Sequence, residues 1–120
     1  HELWLDGDDD GVRADIIGKD LVRAQLPGAR LSNASLTESD LSDADLSNAD
    51  LAGANLSKAV LQGANLSGAN LQEADLSDAD LRGANLLGAN LSSTEVWRTN
   101  IKGCVITPEA LHRLLGCRTE

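Results

Sequence analysis

The sequence predicts a solenoid, a chain that coils repeatedly about one axis around a narrow interior column. Leucine recurs at every fifth position from Leu21 to Leu91, fifteen times without a slip, and alanine stands two places before it in thirteen of those repeats. A step of five turns an α-helical side chain by roughly 140°, which scatters the leucines around the helix axis. A continuous strand fails as well, because an odd step sends successive leucines to opposite faces. The third observation is compositional: the 120 residues include no Phe, Tyr or Met, whereas a globular domain of that size normally recruits aromatics to its core. A chain that changes direction once per repeat and stacks each coil on the last needs only a column of leucine.

Residues 1–13 form the N-terminal acidic segment and cap. A solenoid needs ends that stop further stacking, and Leu3-Trp4-Leu5 is the natural plug. Asp6-Gly7-Asp8-Asp9-Asp10-Gly11 matches the first half of a calcium loop, with Asp6, Asp8 and Asp10 as alternating oxygen ligands before a glycine turn. The second half fails, since Ile17 stands where a bidentate glutamate belongs. Asp15 is the available substitute, and a solvated acidic turn is the plainer expectation; no other cofactor is expected. The chain begins at His1 without an initiator Met, as after removal of a leader or with a tag scar, so its compartment is not directly readable.

Residues 14–106, from Ala14-Asp15-Ile16 through Cys104-Val105-Ile106, repeat the unit small-(Asp/Asn)-Leu-X-X, as in Ala44-Asp45-Leu46-Ser47-Asn48. Here the chain resembles the pentapeptide-repeat family, whose consensus is A(D/N)LXX. The resemblance implies an all-β solenoid, a right-handed quadrilateral β-helix with four pentapeptides forming the four sides of each coil. The residue chemistry fits that square. An inward Leu contributes about 1.5–3 kcal/mol by burial, and a group larger than Ala, Ser or Thr beside it would overpack the narrow interior. Asp or Asn precedes the leucine in eleven of the fifteen repeats, where a short polar side chain bonds to the backbone of a turn. Eight of the eleven glycines lie two places after the central residue, where positive φ is available without steric cost.

Residues 107–120 form the C-terminal helical cap. Thr107-Pro108-Glu109 reads as an N-cap, a proline at the first helical position and an acid in the first turn. A short helix is expected from about Pro108 to Leu115, with Leu111, Leu114 and Leu115 forming a lid on the last coil and Gly116 ending it. A dimerising helix is the alternative; a monomer is favoured over a homodimer. Cys104 replaces the small inward residue of its repeat and Cys117 follows the expected helix, so a bond between them would staple cap to coil and add on the order of 3 kcal/mol. Otherwise Cys104 is a small apolar filler and Cys117 a free thiol. A disulfide implies a periplasm or thylakoid lumen, and free thiols a cytoplasmic protein.

The net charge of −9 is uneven, with nine acids against two bases between residues 31 and 91. Such a surface attracts basic partners and disfavours direct nucleic-acid binding. Four repeats per coil would stack residues twenty apart at about 4.8 Å. One column then reads Gly18, Glu38, Lys58, Asp78, Arg98, and its neighbour Asp20, Asp40, Val60, Asp80, Asn100. Glu38, Asp40, Asp78 and Asp80 form the candidate interaction surface. Trp97 is expected to pack against the terminal helix. No run of 18 apolar residues suggests a membrane span.

Catalysis is not expected, because His1 and His112 lie at opposite ends and no serine has a histidine beside it. The leading functional reading is a rigid, non-enzymatic structural or protein-interaction module with an acidic surface and an unidentified protein partner. The alternative carried by the resemblance is a DNA-mimicking modulator of DNA gyrase or topoisomerase. Fewer than five coils would span only roughly 23 Å, about seven base pairs, which argues against it. A calcium-binding accessory protein is a third reading; ice binding lacks the required column of outward threonines.

Overall fold

The computed structural model describes residues 15–119, with side chains to residue 114. The N-terminal plug and the calcium-loop aspartates therefore lie outside the described residues. From residue 15 onward the chain is a β-helix-type solenoid. Parallel β-bridges link each residue before a central leucine to the residue twenty places later, unbroken from Asp15↔Ser35 to Asn85↔Val105. One coil is thus twenty residues with four bridge positions, which gives it four sides. The sides are centred on Ile16, Leu21, Leu26 and Leu31 in the first coil and on the residues twenty, forty and sixty places later in the next ones. The bridges are isolated contacts, and no longer strand forms among the described residues.

Each five-residue repeat closes with a β-turn. In Leu41-Ser42-Asp43-Ala44 the Ala44 N–H donates to the Leu41 carbonyl at 3.0 Å. φ is +58° at Asp43 and not positive at Ser42, the signature of a type II turn. Between turns the backbone bonds up and down the axis. Leu41 and Asp43 donate to the Val60 and Gln62 carbonyls of the next coil at 2.6 and 2.9 Å, and Asp40 donates to Lys19 of the coil before at 2.9 Å. Backbone polar groups that a tight five-residue bend would strand are satisfied by the neighbouring coils.

The positive φ is a property of every corner. Glycine takes it at the eight expected positions, and ten other residues adopt it too, among them Arg23, Glu38, Lys58 and Arg98. A side chain in that region costs roughly 1–2 kcal/mol, less for Asn and Asp. Asn33, Asp43, Asn48 and Asp78 use that tolerance; the charged corners carry the strain because both adjoining coils dictate the turn.

Inside, every central leucine from Leu41 to Leu71 has no exposed surface, and the alanines beside them are exposed by 1% or less. Hydroxyls replace alanine at three places and find carbonyls of the coil before. Thr94 Oγ1 donates to Leu71 at 2.8 Å, Thr99 Oγ1 to Leu76 at 2.6 Å, and Ser39 Oγ to Ile16. No buried side-chain polar atom among the described residues lacks a partner.

The helix α1 spans Pro108–Thr119. Thr107 Oγ1 accepts the Ala110 N–H at 3.1 Å, the N-cap expected from Thr-Pro-Glu. The helix runs four residues further than the sequence indicates. Glycine permits a left-handed stop without imposing one, and an interior glycine costs only about 1 kcal/mol. Cys117 therefore lies within α1 instead of after it. Leu114 is 1% exposed and belongs to the same buried cluster as the coil leucines, with Ala110 packed against that cluster.

Two substitutions separate the backbone cost of the corners from packing. An added Cβ at Gly83 meets nothing nearer than 3.9 Å, so Gly83→Ala reads the price of positive φ alone and is expected to destabilise by about 1 kcal/mol. Lys58→Gly is expected to be neutral to stabilising by up to about 1 kcal/mol in the same chemical denaturation series. Leu56→Ala is expected to cost about 2–5 kcal/mol.

Candidate interaction surface

The twenty-residue register brings the four candidate acids together on one edge of the solenoid. Glu38 and Asp78 are corner residues two coils apart with Lys58 between them, and Asp40 and Asp80 bridge to Val60 from either side. Their chemistry is not uniform. Asp40 and Asp80 are turn residues: their Oδ1 atoms accept the backbone N–H of Ser42 and Arg82, both at 3.1 Å. The same bond recurs at every Asp or Asn preceding a central leucine, for example Asp45 to Ser47 at 3.0 Å and Asn65 to Ser67 at 3.0 Å. It satisfies the N–H that the change of direction leaves without a backbone acceptor. Ser42, Ser47 and Ser67 add a hydroxyl donor to the same oxygen at 2.6–2.7 Å.

Ion pairing divides the surface further. Arg98 reaches down one coil to Asp78 at 2.9 Å, as the alternating column suggests. Arg82 clasps Asp80 within its own repeat, Nε to Oδ1 at 2.9 Å and Nη2 to Oδ2 at 2.7 Å. This second pair does not follow from stacking residues twenty apart; its signal in the sequence is Asp-Leu-Arg, whose outer residues flank one inward leucine on the same side. Glu38 and Asp40 have no ion pair among the described residues, and neither has Asp43 at the next corner. Glu38, Asp40 and Asp43 thus share the second coil, residues 34–53, which contains no Lys or Arg.

Hydrogen bonding sets the carboxylate protonation. Asp45 is held below the ordinary 3.8 by the Ser47 hydroxyl and then by the Ser47 backbone N–H. Asp80 is lowered chiefly by the Arg82 guanidinium, against an opposing cost of desolvation. Burial pushes the Cys104 thiol upward, and that half-buried cysteine has no disulfide partner among the described residues. Cys117 lies beyond the residues whose side chains are described. Trp97, expected to pack under the helix, keeps 60% of its surface exposed. The described residues contain no group of three or more His, Cys, Asp or Glu positioned to hold a metal. Asp6, Asp8 and Asp10 lie outside them. Among the described residues no helix is long and apolar enough to cross a membrane.

A carboxylate whose folded pKa is depressed contributes stability at pH above its unfolded value and loses it as pH falls through the folded value. Stability is therefore expected to fall on acidification below about pH 4. The double variant Asp45→Asn/Asp80→Asn keeps both turn acceptors and is expected to flatten that fall, read by thermal melts between pH 2 and 7. Asp45→Ala removes the acceptor and is expected to cost about 1 kcal/mol at neutral pH.

A family model described as pentapeptide repeats matches eight copies, over residues 13–43, 39–78 and 69–107. No curated protein matches. Among solved structures, a pentapeptide repeat protein from the Arabidopsis thaliana thylakoid lumen is 34% identical, with 76% of this chain and 60% of that one covered and a TM-score of 0.46. This chain thus spans about three-fifths of that relative's length. A pentapeptide repeat protein from Nostoc PCC 7120 is also 34% identical, with 74% and 85% covered and a TM-score of 0.48. A plasmid-mediated fluoroquinolone resistance protein is 13% identical, with 91% and 98% covered and a TM-score of 0.33. The family match spans residues 13–107, most of the chain, so this protein belongs to the pentapeptide-repeat family.

Proposed function

We propose that the chain is a rigid, non-enzymatic scaffold that docks a basic protein partner on the acidic second coil. In this reading the solenoid is a right-handed quadrilateral β-helix and α1 is its lid. The observation that carries it is the unequal state of the acids: Asp78 and Asp80 are already held by arginines, while Glu38, Asp40 and Asp43 have no ion pair among the described residues and face outward from a coil without bases. Unpaired surface carboxylates on a fixed frame steer cationic partners and set their orientation.

Charge reversal is the wrong probe, since a lysine at Asp40 would also remove a turn acceptor. The triple variant Glu38→Gln/Asp40→Asn/Asp43→Asn keeps the turn acceptor at Asp40 and an asparagine at the Asp43 corner. It is expected to reduce crosslinked capture of the partner from the native source at least tenfold, with capture by wild type falling as salt rises. Asp78→Asn/Asp80→Asn is expected to change capture less than twofold. Equal capture by both variants sinks the proposal.

The gyrase reading has less support, because Arg98 and Arg82 interrupt the negative edge in the upper coils. We expect no effect on gyrase supercoiling at high molar excess. The calcium reading rests on Asp6, Asp8 and Asp10 and requires a Ca²⁺-dependent rise in melting temperature that Asp8→Ala abolishes. A Cys104–Cys117 bond, formed on oxidation, would place the protein in a periplasm or thylakoid lumen, and free thiols in the cytoplasm. Mass spectrometry of protein from its native source distinguishes these states.

A further inference from the structure

In the third and fourth coils charge is confined to part of the circumference. Residues 63–72 and 83–92 occupy the third and fourth sides of two successive coils, held in register by the bridges Asn65↔Asn85 and Asn70↔Asn90. Not one of those twenty residues is ionisable. The other two sides at the same height carry Lys58, Glu73, Asp75, Asp78, Asp80 and Arg82. Directly above, Gly103 to Thr107 continue the uncharged surface into the last coil. In a protein of net charge −9 this is half the perimeter over more than two coils.

The surface is also smooth and able to bond. Its corners are glycines, Gly63 and Gly83 on one edge and Gly68 and Gly88 on the next, all with positive φ and exposed. Asn65, Asn70, Asn85 and Asn90 use Oδ1 to accept their turn N–H at 3.0–3.1 Å. Their amide N–H groups make no hydrogen bond among the described residues. Leu87 and Val105, on the same side of adjacent coils, are 43% and 47% exposed.

We infer that this uncharged half is a self-association surface that receives the same surface of a second copy, a proposal separate from the acidic docking reading. Two copies of net charge −9 repel one another wherever carboxylates face; the patch itself has none, and Asp43, Asp45 and Asp50 border it one coil below. A two-fold contact sets the same patch on both partners, which requires a self-complementary surface. The asparagine side chain provides this, because each amide offers a donor and a remaining acceptor lone pair. The glycine corners let two flat surfaces approach. Two sides over two coils and one side over a third, at ~4.8 Å per coil, give roughly 200–300 Å² per copy, under the ~800 Å² of a stable interface. The dimer is therefore transient. The sequence favours a monomer because its short terminal helix reads as a cap; absence of charge, visible once the columns are in register, is the more telling feature.

Sedimentation velocity of the full chain from about 10 μM to about 1 mM tests the inference, with a dissociation constant expected in the upper part of that range. Association is expected to strengthen with salt, because screening relieves the repulsion between the copies. Leu87→Lys places a cation at a repeat position that Arg82 and Lys102 already occupy on the second side, so the fold tolerates it; it is expected to weaken association at least tenfold. Ser57→Lys makes the same change in charge on the first side and is expected to leave association unchanged. A chain monomeric throughout, as when the surface serves a different partner, overturns the inference. So does association that weakens with salt or is indifferent to Leu87→Lys.

Discussion

The structure depends on one closed turn repeated without interruption. Every five residues the chain must bend sharply enough to bring the next leucine back to the axis, and a type II turn does this at the cost of a positive φ. That cost is met at all corners from residue 18 to residue 103, whatever the side chain. Two independent sources of hydrogen bonding make it tolerable. The coils above and below accept or donate the backbone groups between turns, and an Asp or Asn side chain captures the one N–H left at the bend. The coils are the stronger of the two: Glu38 and Arg98 keep the same positive φ although Ser35 and Glu95, not Asp or Asn, precede their central residues.

Most of the fold was legible in the sequence because the interior has a single solution. Leucine at every fifth place and alanine two before it define what is inside, and the eight repeat glycines mark corners that the backbone confirms. What was not legible is that the corners without glycine adopt the same conformation. Propensity alone would steer Glu38 or Arg98 away from positive φ; the stacked coils override it. The extent of α1 is not legible for a related reason, since Gly116 permits a stop and does not impose one.

The candidate surface was half legible. Stacking residues twenty apart correctly aligned Asp78 with Arg98, because that contact follows from the register. The Arg82 clasp on Asp80 depends on two outward residues flanking one inward leucine, a neighbourhood that exists only once the turn is built. This changes how the acids are regarded. Asp40 and Asp80 hold the backbone first and present charge second, so their presence is explained without any partner. Glu38 and Asp43 have no such duty among the described bonds of their side chains, and sit at corners that glycine would occupy with less strain.

The twenty-residue bridge spacing also constrains how such a chain can change length. Excising one pentapeptide preserves the leucine column, since every repeat offers the same inward face. It nonetheless rotates everything downstream by a quarter turn, so Arg98 would no longer stand over Asp78 and the uncharged sides of successive coils would fall out of alignment. Surface patterns survive only if whole coils are gained or lost. The interior therefore counts in fives and the exterior in twenties, and a lineage free to drift in the first unit is held to the second wherever its outside has work to do.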